Sequence, residues 1–246
     1  MIRRFLAFFV LFLFCILAMP YTLVIDAGHG GKDPGAQSKT GKEKNINLAV
    51  ALAFGKLVEQ NCKDVKVVYT RKTDVFVELN ERANIANKAK ADLFISIHTN
   101  STAAKVGPQG TETYTLGMHR AADNLAVAKR ENSVITLESN YEQKYEGFDP
   151  RSSESYIIFE LMQDKNMESS VKLASLVQKQ FRNTAKRVDK GVHQAGFLVL
   201  RATSMPSVLI ELGYINNPSE AAYLTSSAGV NDMAKSIYNA FIAYKK

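Results

Sequence analysis

The chain alternates short apolar runs with longer stretches in which apolar residues recur at helical spacing. This alternation is typical of an α/β protein built on a mostly parallel sheet. The apolar runs predict strands at 23–25, 65–70, 93–98, 110–116, 196–200 and 206–210. Polar residues alternate along 110–116, which favours a strand at an edge or exposed face of the sheet.

Helical spacing predicts several helices between these strands, at 43–60, 78–90, 120–130, 168–187 and 229–244, with a shorter one from residue 217. No internal repeat or low-complexity tract interrupts the pattern. We therefore expect one α/β domain over residues 21–246, with a mixed, mostly parallel β-sheet flanked by helices on both faces.

The segment 132–165 departs from this regular order. It is polar and shows little periodicity until a short amphipathic helix at 154–163. The apolar face of that helix consists of Ile157, Ile158, Leu161 and Met162. Long irregular insertions are often binding loops or lids. We expect this inserted segment to have a binding or regulatory role.

Residues 1–20 have the layout of a secretory signal peptide. Arg3 and Arg4 precede an apolar run that ends at Met19. The run is short for a membrane-spanning helix, which needs about 20 apolar residues, although an uncleaved anchor is the alternative. We expect export across the inner membrane to the periplasm or cell envelope.

Charge and cysteine content narrow the function classes. The formal net charge is +7 over 246 residues, and the basic residues are spread along the chain rather than gathered into one run. A nucleic-acid partner is therefore not expected, whereas a weakly basic surface suits an anionic polymer such as cell wall. Cys62 is the only cysteine after the leader, which excludes an intramolecular disulfide and a cysteine-based metal site.

Three ionisable residues stand where predicted strands end. His29 lies in a glycine-rich turn after the first strand, His98 closes the third, and Glu211 follows the last. The carboxyl ends of parallel strands meet at one edge of a sheet, where open α/β folds place their binding sites. Each residue alone also has an ordinary explanation, as a loop histidine, a hydrogen-bonded core histidine or a glutamate that reaches water.

Together these residues fit a catalytic zinc site. Such sites use three protein ligands and leave one position open, and a further carboxylate can move the proton. Glu43, at the start of a predicted helix, adds a second carboxylate, although the helix dipole alone also favours a glutamate there. The chain has no HExxH motif, which excludes the common single-helix metalloprotease arrangement.

Four motifs resemble those of the zinc-dependent N-acetylmuramoyl-L-alanine amidases of bacterial cell-wall turnover. They are DAGHGGKDPGA, the helix start at Lys42 and Glu43, DLFISIHTNS and PSVLIELGYINNPSE, and they occur in this order. The resemblance covers nearly all of residues 22–246, with Tyr214 in place of a more usual phenylalanine. It implies the same mixed sheet flanked by helices.

The resemblance assigns roles to individual residues. It implies that His29, Glu43 and His98 bind one zinc ion and that Glu211 is the catalytic acid/base. The implied reaction is hydrolysis of the amide that joins the lactyl group of N-acetylmuramic acid to L-alanine of the peptidoglycan stem peptide.

The resemblance also gives a meaning to the residues around the centre. In the cell-division branch of this family, a helix in the inserted region covers the active site and supplies a blocking glutamate until an activator protein moves it. Glu154 and Glu160 are the candidates for that glutamate, unless their helix only packs on the sheet.

Asn100 and Arg201, near the ends of predicted strands, are expected to contact the substrate.

Other function classes fit parts of the sequence. Another zinc-dependent wall hydrolase, such as a peptidase, would need the same kind of site. A non-catalytic peptidoglycan-binding module could share the fold, but Glu211 argues against it because binding alone needs no general base. A phosphate-binding loop at GHGGKDPG is excluded, since no Lys-Ser/Thr pair follows the glycines.

Overall fold

The computed structural model describes residues 20–118, 121–160 and 164–246. Within these ranges, one sheet holds six strands in the order β2-β1-β3-β6-β4-β5. The strands are β1 Tyr21–Ala27, β2 Val65–Tyr69, β3 Leu93–Asn100, β4 Thr111–Leu116, β5 Asp189–Ala195 and β6 Ser207–Tyr214. All neighbouring strands run parallel except β4 and β6. The prediction of a mixed, mostly parallel sheet is confirmed.

The same ranges contain α-helices and two 3-10 helices. The α-helices are α1 Glu43–Asn61, α2 Leu79–Lys88, α3 Ala122–Asn132, α4 Tyr141–Lys144, α5 Met167–Asn183, α6 Leu198–Arg201, α7 Pro218–Thr225 and α8 Ser227–Lys245. The 3-10 helices are Ser133–Leu137 and Glu154–Glu160. The predicted start of α3 at residue 120 lies outside the described ranges, as does the predicted leader apart from Pro20. No helix in the described ranges is long and apolar enough to cross a membrane.

Helices cover both faces of the sheet, as predicted. Successive side chains of a strand point to opposite faces. Leu23 and Ile25 of β1 therefore join a core with α1, α5 and α8, while Val24 between them joins a core with α2, α3 and α6. The inserted segment closes this second core with aromatic side chains.

The prediction that 110–116 is an edge or exposed strand was wrong. β4 lies between β6 and β5, and all of its residues are buried. Its polar side chains are tolerated because α5 supplies a partner: the hydroxyls of Thr111 and Thr113 each hydrogen-bond the amide of Gln178 at 2.9 Å. The edge strand beyond it is β5, which the pattern missed because the sequence DKGVHQA is polar and half-buried.

Two further predictions need correction. The apolar run 196–200 contains the start of the short helix α6 rather than a strand, because a run buried on all sides shows no period. The predicted amphipathic helix of the insertion is a 3-10 helix over Glu154–Glu160. Its three-residue period buries Tyr156 and Phe159 and leaves Ile157 and Ile158 about half exposed. Residues 161–163, including the other two apolar positions, lie outside the described ranges.

Candidate metal centre

The turn after β1 holds the first histidine in an unusual backbone conformation. His29 has a positive φ of 63°. Gly28 beside it has no room for a side chain, since a Cβ atom there would lie 2.3 Å from Nε2 of His98. The guanidinium groups of Arg71 and Arg82 donate hydrogen bonds to backbone carbonyls of this turn and so fix it.

The second histidine and the predicted catalytic glutamate lie on neighbouring strands. β3 and β6 pair with His98 opposite Glu211. β1 runs parallel to β3 on its other side, so His29 leaves β1 at the same edge of the sheet. Glu43 reaches this edge from the first turn of α1 and is completely buried.

Four ligand-type atoms converge at this edge. Nε2 of His29 lies 3.1 Å from Oε1 of Glu43 and 3.0 Å from Oε2 of Glu131. Nδ1 of His98 lies 3.3 Å and 2.9 Å from the same two oxygens. Within the described residues, neither of these nitrogens nor the Glu131 oxygen has a hydrogen-bond partner.

This arrangement fits a bound metal ion. Ligands about 2.0–2.1 Å from a tetrahedral zinc ion lie about 3.3–3.4 Å from one another, close to the separations here. Buried polar atoms without partners are costly, and a cation between them would satisfy all of them at once. Imidazole and carboxylate donors without thiolate are typical of catalytic zinc sites.

Neighbouring groups orient the donors. Asp33 Oδ2 lies 2.6 Å from Nδ1 of His29, so that nitrogen carries the proton and Nε2 is free to bind a metal. Glu43 accepts hydrogen bonds from the backbone N–H groups of Ala36 and Thr99 and from the amide of Asn47. The carboxylate of Glu43 is therefore held in one position.

The two carboxylates draw positive charge to this point. Burial disfavours the charged form of an imidazole, but the carboxylates of Glu131 and Glu43 outweigh burial and raise the pKa of His98 to about 9. The same balance, with Glu43 and Asp33 as the main partners, raises the pKa of His29 well above its ordinary value. The same negative charges favour the binding of a divalent cation at this point.

Glu211 stands beside the cluster with both carboxyl oxygens buried and without hydrogen-bond partners in the described residues. Burial, together with the negative charges of Glu131 and Glu43, raises the pKa of Glu211 well above its ordinary value. Arg130 lies close to this carboxyl group, with Nη2 3.5 Å from Oε1 of Glu211. A carboxyl group with a raised pKa can both accept and donate a proton near neutral pH.

Glu131 is the residue that the sequence analysis missed. It lies in the last turn of α3, just before the inserted segment, where its charge faces the negative end of the helix dipole. That unfavourable position, on the buried side of an otherwise polar helix, is the one signal that the sequence offered. Arg130 next to it donates from Nε to Oε1 of Glu131 at 2.9 Å.

Of the two glutamates that the sequence analysis named for this position, Glu154 is not brought to the cluster. Glu154 is exposed, and its carboxylate accepts a hydrogen bond from Ser152 on the surface. Glu160 ends the same 3-10 helix, and its side chain lies outside the described part of the structure. The carboxylate that joins Glu43 at the cluster comes from Glu131, in the last turn of α3.

The two residues predicted to contact the substrate, Asn100 and Arg201, lie in different parts of the structure. Asn100 lies beside the centre, where Oδ1 accepts a hydrogen bond from Arg130 and Nδ2 donates one to Glu112. Arg201 ends α6, just before β6 begins, and lines a small cavity with Leu116 and Thr203. That cavity is at the amino-terminal end of β6, whereas Glu211 lies in the second half of this strand.

Comparison with known proteins is consistent with this centre. A family model described as N-acetylmuramoyl-L-alanine amidase matches residues 23–243. The chain is 32% identical to N-acetylmuramoyl-L-alanine amidase AmiA of Escherichia coli K12 over 229 residues, which is 90% of this chain and 75% of AmiA.

Solved structures agree with the sequence comparison. An N-acetylmuramoyl-L-alanine amidase from Clostridium difficile 630 superposes with a TM-score of 0.69 at 28% identity, covering 93% of this chain and 98% of its own. The catalytic domain of CwlV, an N-acetylmuramoyl-L-alanine amidase from Bacillus (Paenibacillus) polymyxa var. colistinus, gives 0.65 at 31% identity, covering 92% and 98%.

Proposed function

We propose that this chain, which belongs to the N-acetylmuramoyl-L-alanine amidase family, uses one zinc ion held by His29, Glu43 and His98 for its reaction. That reaction is the hydrolysis of the amide between N-acetylmuramic acid and L-alanine in peptidoglycan. The observation that carries the proposal is the convergence of two unbonded imidazole nitrogens and a rigidly held carboxylate beside Glu211.

Zinc at this position supplies Lewis acidity, which polarises a carbonyl group and acidifies water. The chain's own contribution is to handle the proton. Glu211 lies at the same sheet edge as His98 and has a raised pKa, so it can take a proton from the attacking water and deliver it to the leaving nitrogen. The walls around both residues are buried, which strengthens the electrostatic interactions of the reacting groups.

We further propose that α3 holds the described centre in an inhibited state. Oε2 of Glu131 takes the fourth position of the donor cluster, which substrate or water needs. Arg130 approaches Glu211 and also donates to the carbonyl of Ser101 and to Asn100. Both residues must leave before a substrate amide can contact the metal and Glu211 together.

Displacement of α3 requires an external source of free energy. Asn132 ties the end of α3 to the backbone at Gly196 and Leu198, and the inserted segment packs against it. We propose that an activator protein binds this region and moves α3 and the insertion together. Peptidoglycan lies outside the cytoplasmic membrane, so we also propose that residues 1–20 are an export signal and that the mature domain is 21–246.

Digestion of purified peptidoglycan tests the function. We expect the zinc-loaded mature chain with Glu131 replaced by alanine to release intact stem peptides with a free L-alanine amino terminus, and the parent to release the same products more slowly. Activity should stop with a chelator and fall by at least about 100-fold in Glu211→Gln, in line with the usual contribution of a general acid/base. Peptides cut within the stem would identify a peptidase instead, and products that persist in Glu211→Gln would remove Glu211 from the reaction.

A further inference from the structure

A large cavity lies on the far side of Arg130 from the metal cluster. Its volume is about 580 Å³, and its floor is formed by side chains of β3, β4 and β6. A smaller cavity of about 290 Å³ contains His29 and Glu43, and Arg130 lines both. Arg130, near the end of α3, therefore lies between the two cavities.

The large cavity begins directly beside the catalytic glutamate. Glu112 on its floor is paired with Glu211 across β4 and β6. A substrate whose amide lies at Glu211 must place one of its two arms, glycan or peptide, in this cavity. The chemistry of the lining residues indicates which arm.

The floor is negative and rigid. Glu112 is 8% exposed, and Oε2 accepts hydrogen bonds from Nδ2 of Asn100 at 2.9 Å and from the hydroxyl of Tyr114 at 3.1 Å. Oε1 lies 4.0 Å from Nε2 of His193. Tyr114 and Tyr214 line the cavity beside this carboxylate and present aromatic surface. A carboxylate among tyrosine rings is a good receptor for an ammonium group.

The walls carry two basic residues and one acidic residue, Asp123 of α3. Lys190 of β5 lines the cavity, with Nζ 5.7 Å from the ring centre of Tyr214, and Arg130 lines it from α3. The cavity thus offers a fixed negative floor and the basic side chain of Lys190 beside it. A ligand with one ammonium and one carboxylate group would match both, whereas an uncharged sugar would match neither.

We propose that this cavity binds the stem peptide, with Glu112 receiving the side-chain ammonium of its diamino acid and Lys190 receiving the carboxylate of the acidic residue before it. The inference rests on the amidase function proposed above, because that function places a peptide arm next to Glu211. The glycan arm then lies on the side of the smaller cavity.

Binding of the reaction product tests the site without requiring turnover. The probes are a free tripeptide of L-alanine, γ-linked D-glutamate and a diamino acid, and the same peptide acetylated on its side-chain amino group. Titration calorimetry on the full mature chain should show that acetylation weakens binding about tenfold or more, as expected from loss of one charge-assisted hydrogen bond.

Variants of Glu112 and Lys190 test whether these two residues bind the charged groups of the peptide. In Glu112→Gln the remaining amide oxygen can still accept from Asn100 and Tyr114, so the fold is kept, and the acetylation penalty should fall below about twofold. Lys190→Ala should weaken binding of the peptide but not of an analogue with a carboxamide in place of the D-glutamate carboxylate. Glu168→Gln and Lys179→Ala, exposed on α5, are matched controls that should bind like the parent.

Several results would overturn the site. They are equal binding of both peptides by the parent, binding of neither, or an acetylation penalty that survives in Glu112→Gln. The proposed function fails separately: it fails if zinc-loaded protein binds the tripeptide with the expected preference yet releases no stem peptides from peptidoglycan in the Glu131→Ala form.

Discussion

Glu43 and Glu131 both direct an oxygen at the two histidines, but they are held differently. Three hydrogen-bond donors fix the carboxylate of Glu43. The metal-facing oxygen of Glu131 has no hydrogen bond among the described residues, and the other oxygen is bonded only to Arg130. This difference supports our proposal that Glu43 is a permanent ligand of the metal and that Glu131 is a removable one.

Replacement of Glu131 by alanine should activate the enzyme. Removing the fourth donor opens the metal, and we expect peptidoglycan hydrolysis to rise by about 5- to 150-fold, the range of a typical regulatory coupling of 1–3 kcal/mol. The matched control is Glu154→Ala, which removes an exposed glutamate at the surface and should leave the rate unchanged. Activation by Glu154→Ala but not by Glu131→Ala would return the inhibitory role to the inserted 3-10 helix.

We expect Asp33 to affect metal binding through His29. Its carboxylate fixes the tautomer that presents Nε2, and such partners typically change metal affinity by about 10- to 100-fold. We expect Asp33→Ala to lower zinc affinity by that factor in competition with a chromophoric chelator, while the exposed change Asp149→Ala does not. Unchanged zinc affinity in folded Asp33→Ala would mean that His29 is oriented by the strained turn alone.

At the scale of an element, the side-chain amide of Asn132 fixes the carboxyl end of α3 to the neighbouring backbone. Asn132 is 1% exposed, donates to the carbonyl of Gly196 and accepts from the N–H of Leu198. Asn132→Ala leaves both backbone groups unpaired, at a cost of about 1–3 kcal/mol in the free energy of unfolding. The end of α3 should then open more often and release Glu131.

We therefore expect Asn132→Ala to hydrolyse peptidoglycan faster than the parent and to lose hydrogen-exchange protection in α3. Lys129→Ala, which breaks only a bond to Ser153 at the surface of the same helix, is the control. Faster exchange in α3 without any gain in activity would separate the motion of this helix from inhibition.

A buried ion pair links β1 to α2 beneath the turn of His29. Asp26 accepts hydrogen bonds from Arg82, Thr70 and Ser96. Burial acts to raise the pKa of Asp26, but the charge of Arg82 and these hydrogen bonds outweigh it and hold the pKa below its ordinary value. The contribution of Asp26 to stability is therefore present above its unfolded pKa of about 3.9 and is lost as the pH falls through the folded pKa.

Asp26→Asn should destabilise the protein by about 3–5 kcal/mol at pH 7, because it leaves Arg82 buried without its counter-charge. In urea unfolding, the difference from the parent should narrow as the pH falls below about 4, where the parent also loses the carboxylate. The difference in stability between the parent and Asp149→Asn, a change at an exposed aspartate, should not vary with pH in this way. A difference that stays constant down to pH 3 would mean that Asp26 contributes through shape rather than charge.

At the scale of the whole molecule, the apolar runs and the residues at their ends predicted the centre of the sheet correctly. The runs at 23–25, 93–98 and 206–210 became adjacent parallel strands, and this adjacency brings His29, His98 and Glu211 together. The order of the outer strands was not readable, because the sequence of β5 is polar and that of β4 alternates although it is buried.

The carboxylate that we propose as inhibitory was not predicted from the sequence. Glu131 lies at the end of α3, and only the packing of this helix over the sheet edge brings it to the cluster. Arg201, a predicted substrate contact, lies in the short helix α6 before β6 rather than at the end of a strand. Tertiary packing decided both positions, and periodicity along the chain carries no information about it.

The zinc content and ligation of the purified chain test the account most directly. Elemental analysis should find one zinc per chain, and X-ray absorption should find two imidazoles with oxygen ligands, with one protein oxygen replaced by solvent in Glu131→Ala. Zinc should be lost from folded His29→Ala and retained by Arg201→Ala. A folded parent that binds no zinc at micromolar concentrations, or that keeps it without His29, would contradict the centre proposed here.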